Sequence, residues 1–271
     1  MMDYPERIVC LTEETTETLY LLGEQHRIVG ISGFTVRPPE ARKEKPKVSA
    51  FISAKIDKIL ELQPDLVLGF SNLQADIAAE LIRAGIAVHV FNQRSVAGIL
   101  QMIRMLGSMV GAADKAASLV GEYRRNIEVL RARTKPGAKR PKLYFEEWND
   151  PLISGIGWVS ELIAIAGGDD CFPELAVEQS AKQRIIADPM EVVHRAPDII
   201  VGSWCGKKFR PEQLAVRSGW EAIPAVQHQR VYEIKSCDIL QPGPAALTDG
   251  LAQLVRFIED WRRDFAGSAA N

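Results

Sequence analysis

Apolar residues along this chain follow two patterns that alternate from end to end. Short runs without a polar residue, such as 66–68 and 199–201, are typical of parallel strands that are buried on both faces. Between such runs, apolar residues recur every three or four positions, as they do on the buried face of a helix. This alternation predicts an α/β fold in which helices pack against parallel sheets.

One segment of the pattern occurs twice. Residues 57–70 read DKILELQPDLVLGF, and residues 190–203 read MEVVHRAPDIIVGS. Aligned on Pro64 and Pro197, each copy is a helix end followed by Pro-Asp, an apolar run and a glycine. Proline cannot continue a helix and disfavours helix in the residue before it, so each copy predicts a helix that stops and a strand that follows. The repeat predicts two similar lobes, and a cleft between lobes is a favoured place for a small ligand.

The alternation breaks in the middle of the chain, where a long stretch keeps helical spacing and no strand is predicted before Lys142. A helix of about 20 residues is about 30 Å long, the width of a small domain. It is either one more surface helix or, as its position favours, a rigid strut. We therefore predict two Rossmann-like lobes joined by a single long helix. The predicted parts are an N-terminal lobe at 1–112, the linking helix and turn at 113–139, and a C-terminal lobe at 140–271.

Composition excludes several classes of function. The 33 basic and 35 acidic residues leave a net charge of −2, which gives no pull toward nucleic acid or an anionic membrane. No stretch approaches the ~20 apolar residues of a membrane-spanning helix. The N-terminus enters its first predicted strand at once, without the pattern of a signal peptide, which predicts a cytoplasmic protein if this N-terminus is native. The four cysteines lack metal-site spacing and are expected to be free thiols.

Catalytic motifs are missing from the sequence. It has neither a G-x-S-x-G elbow nor an H-E-x-x-H pair, and residues 202–210 lack the spacing of a phosphate loop. Glu146 and Glu147 are neighbours on a predicted strand, so they point to opposite faces and cannot flank one bond. We expect no enzyme activity and no intrinsic cofactor, with one of the two glutamates, taken as Glu147, facing the ligand.

Aromatic residues gather where parallel strands end, which is where open α/β sheets bind ligands. The candidates are Phe34, Phe51, Phe70, Trp148, Trp158 and Trp204. Each could be an ordinary core residue, but we expect at least three to face the ligand. The basic group Lys207, Lys208 and Arg210 is either a solvated rim or a contact for an anionic group of the ligand.

Several longer motifs make the chain similar to a known family. They include RIVCLTEETTETLYLLG at 7–23, KIDKILELQPDLVL at 55–68, EEWNDPLISG at 146–155 and QPGPAALTDGL at 241–251. The sequence resembles the periplasmic binding proteins that deliver corrinoids, ferric siderophores and haem to ABC importers, and within them the vitamin B12-binding branch. The resemblance covers about residues 7–263 and implies two lobes bridged by one helix, a periplasmic monomer and a permease partner.

The resemblance also implies roles for single residues. Phe51 and Phe70 stand where B12 binders carry aromatics that pack on the corrin ring, and Trp148 lies near another such position. Asp238 lies near an acidic residue that meets the nucleotide loop of the ligand. A corrin is flat and largely apolar with a rim of amides, which suits aromatics and a few polar groups.

Permease docking is the second role that the resemblance implies. Importer-coupled members carry one surface glutamate per lobe, seven residues before the repeated proline. Those positions here hold Asp57 and Met190, with Glu191 or Asp188 as a substitute in the second lobe. Three hypotheses follow: a corrinoid-binding component of an importer, a cytoplasmic corrinoid carrier or sensor, and a binder of haem or a ferric siderophore.

Overall fold

The chain forms two α/β units, each built on its own sheet, as the sequence predicts. The computed structural model describes residues 3–134 and 137–268. Lys135 and Pro136 of the predicted turn lie outside the described residues, as do the first two residues and residues 269–271. Unit 1 holds the chain up to Gln93 together with Ala97–Glu122 and Gln241–Pro244, and unit 2 holds the remainder.

Unit 1 contains a five-stranded sheet in which every pair of neighbours is parallel. Its strands are β1 (Ile8–Cys10), β2 (Ile28–Ser32), β3 (Lys47–Ser49), β4 (Leu66–Phe70) and β5 (Val88–Phe91), in the spatial order β3-β2-β1-β4-β5. The helices between them are α1 (Glu13–Leu21), α2 (Pro39–Glu44), α3 (Ile56–Glu61), α4 (Ala75–Arg83) and α5 (Val96–Met109). The apolar runs of β1 and β4 are fully buried, because the central strands of a parallel sheet are covered on both faces.

Unit 2 contains a sheet that is mostly parallel. Its strands are β6 (Lys142–Asn149), β7 (Leu152–Ser154), β8 (Asp169–Asp170), β9 (Ile199–Gly202) and β10 (Val231–Glu233). The path through the sheet is β10-β9-β6-β7, and β8 also pairs with β6. Only β7 among these strands runs antiparallel, because the two residues that separate it from β6 allow no crossover. The sequence did not reveal β7 or β8.

The helices of unit 2 are short except at its two ends. They are α7 (Gly157–Ala166), α8 (Pro173–Ala176), α9 (Met190–Arg195), α10 (Glu212–Ala215), α11 (Pro224–Gln227), α12 (Ser236–Ile239) and α13 (Leu251–Ser268). A π-helical turn at Ala246–Gly250 precedes α13. The last helix is therefore entered through a π turn, which the periodicity of apolar residues could not show.

The long mid-chain helix α6 spans Ala113–Arg133, the bounds that the spacing predicts. The chain passes from unit 1 to unit 2 inside it, between Glu122 and Tyr123. Its buried positions are Ala116, Val120, Tyr123, Ile127 and Leu130. The predicted domain limits at 112 and 139 stay a prediction.

The repeated Pro-Asp phrase has the same structural role in both units. The carboxylate of Asp65 accepts the backbone N–H of Arg7, next to β1, and its own N–H donates to the Arg7 carbonyl. Asp198 makes the same reciprocal pair with Lys142 at the start of β6. Each aspartate thus fixes the register of its strand against the first strand of its own unit.

The glycine that ends each repeat allows a close approach. A Cβ on Gly69 would lie 2.9 Å from the side-chain oxygen of Gln74, and one on Gly202 would lie 1.9 Å from the ring of Phe209. Contacts this short exclude any side chain, so the strand ends can pack directly against the groups that follow them.

Candidate functional site

The loops beyond the carboxyl ends of β2, β3 and β4 expose large apolar side chains. Phe34 is 63% exposed, Val36 41%, Ile52 71% and Leu73 57%. Because these strands are parallel, their carboxyl ends lie at the same edge of the sheet. Open α/β sheets bind ligands beyond the carboxyl ends of their strands, and exposed apolar side chains there are typical of a binding surface. The sequence pointed to Phe34 but missed Val36, Ile52 and Leu73.

Gln74 connects the two aromatic positions predicted for the corrin ring. Its side-chain amide donates to the carbonyl of Phe51 over 2.8 Å and to that of Leu11 over 3.4 Å. Its side-chain oxygen accepts the N–H of Phe70 over 2.9 Å. Gln74 is fully buried and Phe70 is 5% exposed, whereas Phe51 is half-buried. One amide therefore holds the ends of β1 and β4 and the loop after β3.

Backbone strain accompanies this junction. Ser71 has a φ of +63°, which is unfavourable for a residue with a side chain. Its hydroxyl accepts the N–H of Leu73, and the short 3₁₀ helix Asn72–Gln74 follows. Such strain persists only where surrounding contacts hold it, and it concentrates at binding sites.

Helix α1 holds three buried acidic residues, Glu13 and Glu14 in its first turn and Glu17 after it. Burial raises the pKa of Glu13 to about 7. Its carboxylate accepts the backbone N–H groups of Val36 and Arg37, and these hydrogen bonds lower the pKa by less than burial raises it. Burial also raises the pKa of Glu14 to about 7. The local sequence pattern does not show that these glutamates are buried, because burial depends on the tertiary packing around α1.

Glu146, in the carboxyl half of β6, is completely buried, and both of its carboxylate oxygens accept hydrogen bonds. Arg217 binds both of its carboxylate oxygens at 2.6 and 2.9 Å. The indole N–H of Trp204 and the hydroxyl of Tyr144 donate to the same carboxylate at 3.1 Å each. A buried carboxylate needs this number of partners to offset the loss of water.

Glu147 has a different environment from its neighbour. The pairing of β6 with β7 is irregular between Glu146 and Trp148, so Glu147 lies in a bulge. Its carboxylate is bound at 2.6 and 3.0 Å by the buried guanidinium of Arg184, which also donates to the carbonyl of Ser154. The side chain of Glu147 keeps 20% exposure, and that of Glu146 keeps none. This difference agrees with the choice of Glu147 as a ligand-facing residue, which stays a prediction.

The three candidate tryptophans differ in accessibility. Trp158 is 3% exposed and donates its indole N–H to the carbonyl of Ile239 over 2.8 Å. Trp204 is also 3% exposed and stacks edge-to-face on Phe209 within the core of unit 2. Trp148 is only half-buried. Trp148 is therefore the most accessible of the three, and contact of any of them with a ligand stays a prediction.

Lys207 lies against two of these indoles. Its ammonium nitrogen is 5.0 Å from the ring centre of Trp204 and 5.7 Å from that of Trp148. It donates to the side-chain oxygen of Asn149 over 3.2 Å. These contacts bring three of the predicted site residues together at the carboxyl ends of β6 and β9.

Asp238 is on the short helix α12 of unit 2. It lines a surface depression of about 400 Å³ with Asp249, Gln253 and Arg256. Gln253 donates to its carboxylate over 3.4 Å. The site therefore offers a carboxylate beside the π turn, as the resemblance suggests, but its role stays a prediction.

The two predicted docking carboxylates are both exposed. Asp57 is on the first turn of α3, and Glu191 is on the first turn of α9. Glu191 faces His194 at 3.6 Å and Arg195 at 3.9 Å on its own helix. Met190, in the position expected to hold a glutamate, is half-buried.

Two further observations bear on the kind of site. Within residues 3–134 and 137–268, no group of three or more metal-ligating side chains could hold a metal ion. In the same part of the chain, no helix is long and apolar enough to cross a membrane. The cysteines are free thiols, as predicted, with Cys10 and Cys171 buried, Cys205 exposed and Cys237 half-buried.

Comparison with known proteins identifies the family. The model of the periplasmic binding protein family matches residues 8–237 of the chain. The chain belongs to this family. The resemblance seen in the sequence is confirmed, and the protein is a substrate-binding protein.

Some relatives of this periplasmic binding protein have a ligand in their names and others do not. The uncharacterised ABC transporter substrate-binding lipoprotein YvrC of Bacillus subtilis is 27% identical over 263 residues, which are 94% of this chain and 80% of the relative. A vitamin B12-binding protein of Vibrio parahaemolyticus is 23% identical over 253 residues, which are 89% of this chain and 86% of the relative. The structure of the periplasmic heme-binding protein RhuT from Roseiflexus is 22% identical with a TM-score of 0.79, over 93% of this chain and 99% of that one.

Sequence reasoning missed the groups that position this binding protein's candidate site. Arg217 is 71 residues from Glu146, and Arg184 is 37 residues from Glu147. No local spacing connects residues so far apart. Gln74 had a weak signal, because it follows the repeated glycine by five positions and is a polar residue before an apolar helix.

Proposed function

We propose that this periplasmic binding protein is the ligand-binding component of an ABC-type uptake system and that its ligand is a corrinoid. It binds the ligand without chemistry on it, and it works in the periplasm with a membrane permease.

The exposed apolar side chains at the carboxyl edge of the unit 1 sheet carry the proposal. Phe34, Val36, Ile52 and Leu73 are on loops after three parallel strands. Exposure of apolar side chains of this size to water is unfavourable. Full burial of each one by a ligand would contribute about 1.5–3 kcal/mol to the free energy of binding. A large, flat, mostly apolar macrocycle would cover several at once. The vitamin B12-binding name of a relative supports a corrin as that macrocycle.

The buried junction at Gln74 supports binding to a preformed surface. Gln74 holds the backbone of Phe51 and Phe70 in place before any ligand arrives. A surface that is already ordered loses little conformational entropy on binding. This suits a protein that captures a dilute ligand and releases it unchanged.

Titration with four ligands tests the proposal. Purified protein is mixed with cyanocobalamin, cobinamide, haemin and a ferric siderophore, and binding is followed by absorbance and calorimetry. Tight binding of the two corrinoids and weak binding of the others is the expected result. Preference for haemin or the siderophore would replace the corrinoid with that ligand and keep the binding function.

Matched variants locate the site. Ile52→Ser removes an isoleucine that is 71% exposed on the carboxyl edge, and Ile82→Ser removes one that is 59% exposed on α4. Ile52→Ser should weaken corrinoid binding by about 1–2 kcal/mol, a part of the full burial of an isoleucine. Ile82→Ser should leave binding unchanged. Equal effects of both variants would exclude this edge as the site.

Phe70 and Trp204 are candidate ligand contacts whose replacement also changes the stability of the fold. Replacement by alanine should weaken binding by about 1–3 kcal/mol if they touch the ligand. Both side chains are at most 5% exposed, so the same replacements also destabilise the fold by about 3–5 kcal/mol. Trp148→Ala, at a half-buried position, separates the two effects better.

A further inference from the structure

The ammonium group of Lys207 is fixed in place although its side chain reaches the surface. A turn at residues 204–207, in which the N–H of Lys207 donates to the carbonyl of Trp204 over 3.3 Å, folds the lysine back over the indole. Gly206 makes this turn possible with a φ of +72°. Trp204 is itself fixed by Glu146 and by the ring of Phe209.

Three contacts hold the ammonium nitrogen. It lies 5.0 Å from the centre of the Trp204 ring, 5.7 Å from that of Trp148, and 3.2 Å from the side-chain oxygen of Asn149. A cation over an indole is attracted by the negative face of the ring. An ammonium has three N–H donors and Asn149 takes one, so donors remain for a further acceptor.

The two nearest carboxylates on β6 do not supply that acceptor. Both oxygens of Glu146 are bound by Arg217, and both oxygens of Glu147 are bound by Arg184. Among the described residues, no carboxylate lies within 4.0 Å of the Lys207 ammonium. Each of these glutamates is paired with an arginine, so no carboxylate of β6 pairs with the charge of Lys207.

An ammonium group that lies on two indoles and has no carboxylate partner among the described residues is suited to bind an anion. We propose that the ligand carries an anionic group, a carboxylate or a phosphate, and that Lys207 binds it beside Trp148. This inference rests on the proposed function and narrows the ligand class to a macrocycle or chelate with an acidic substituent. The neighbouring exposed residue Lys208 has no such indole contacts among the described residues and is the natural control.

Two ligand pairs distinguish the sources of the anion. Haemin and its dimethyl ester differ only in whether the propionates are charged, so this pair tests a carboxylate. Cyanocobalamin and cobinamide differ in the nucleotide loop with its phosphodiester, so this pair tests a phosphate. Each ligand is titrated against wild type, Lys207→Met, Lys207→Arg and Lys208→Met, with circular dichroism and thermal unfolding as checks of folding.

The wild type should prefer the charged member of one pair by about ten- to a hundredfold, the usual strength of a hydrogen bond between charged groups. Lys207→Met should reduce the preference to about twofold or less, mainly through weaker binding of the charged member. Lys207→Arg should keep most of the preference, and Lys208→Met should keep all of it. High salt should lower the preference of the wild type.

The results that would overturn the inference are distinct from failure of the proposed function. If ligands bind and Lys207→Met weakens both members of each pair equally, or strengthens binding, Lys207 is not an anion contact. If the wild type shows no preference within either pair, the ligand needs no anionic group there. Absence of binding to all four ligands by a folded wild type would overturn the proposed function together with this inference.

Discussion

Gln74 donates from its side-chain amide to the carbonyl oxygen of Phe51 over 2.8 Å. The same amide group accepts the backbone N–H of Phe70, so a single buried side chain fixes two candidate ligand contacts. Phe51 and Gln74 are 23 residues apart in sequence, and only the fold brings them together.

Replacement of Gln74 by methionine should lower the free energy of unfolding by about 1–3 kcal/mol. Methionine has a similar length but removes the buried hydrogen bonds that Gln74 makes with the N–H of Phe70 and the carbonyl of Phe51, and the loss of buried hydrogen bonds carries this penalty. Urea denaturation measures the change. Ligand affinity should fall as well, because the loop that holds Phe51 loses its tie.

Leu73→Met is the control for the Gln74 variant, since Leu73 is 57% exposed on the same short helix. It should change the unfolding free energy by less than about 0.5 kcal/mol. Equal stability of the Gln74 and Leu73 variants would show that the amide is not a structural link.

Replacement of Arg217 by methionine should destabilise the protein by about 3–5 kcal/mol, because it leaves the carboxylate of Glu146 buried without a positive partner. Arg184→Met should lower the free energy of unfolding by less, since the carboxylate that loses its partner belongs to Glu147, which is 20% exposed and can reach water. Urea denaturation of the two variants side by side gives the order. The double variant Glu146→Leu with Arg217→Met should recover most of the loss, and failure to recover would mean that Arg217 stabilises the fold through its packing on Trp220 instead.

The stability of the protein should respond to pH through Glu13 and Glu14. Burial raises the pKa of each from 4.5 to about 7, so the folded state holds more protons than the unfolded state between those values. Their contribution is therefore complete below about pH 4.5 and is lost as the pH rises through about 7. Each group should account for a loss on the order of 1–3 kcal/mol across this window.

Glu14→Gln tests the assignment. The amide does not titrate, so the difference in unfolding free energy between the variant and the wild type should grow in favour of the variant as the pH rises from 5 to 8. Urea denaturation at each pH measures it. A constant difference across this range would mean that Glu14 has an ordinary pKa in the folded protein.

Coupling to a permease should be weak in the native chain and should depend on charge. Asp57 is a shorter carboxylate than the expected glutamate, and Met190 offers none, while Glu191 faces His194 and Arg195 of its own helix. Exposed pairs are worth under about 1 kcal/mol each, so docking needs carboxylates on both units. We expect little stimulation of the ATPase of a B12-type importer in proteoliposomes.

Met190→Glu should increase that stimulation without a change in corrinoid affinity. Asp57→Lys and Glu191→Lys should abolish any residual effect, and Lys58→Ala, next to Asp57, is the control on the same helix. Strong native stimulation that survives both charge reversals would show that docking uses another surface.

The sequence by itself determined the α/β class, most of the helices and strands, and the doubling of the Pro-Asp unit. Those features follow from local rules: buried parallel strands are continuously apolar, surface helices are amphipathic, and proline ends helices. The long helix α6 was predicted at its observed bounds because its apolar stripe is regular. Asp65 and Asp198 were visible as a repeat, although their shared role in pairing with Arg7 and Lys142 was not.

Only the tertiary structure decided which polar residues are buried and with whom. The local pattern does not show that Glu13 and Glu14 are buried, and burial raises the pKa of each carboxyl group. Several contacts of the candidate site join segments 37 to 71 residues apart. They are the arginine partners of the two β6 glutamates, one of which lies in a bulge, and the contacts of Trp204 and Lys207 with β6. Free energies of burial and charge pairing depend on these distant neighbours, and a pattern read along the chain contains no information on the distance between them.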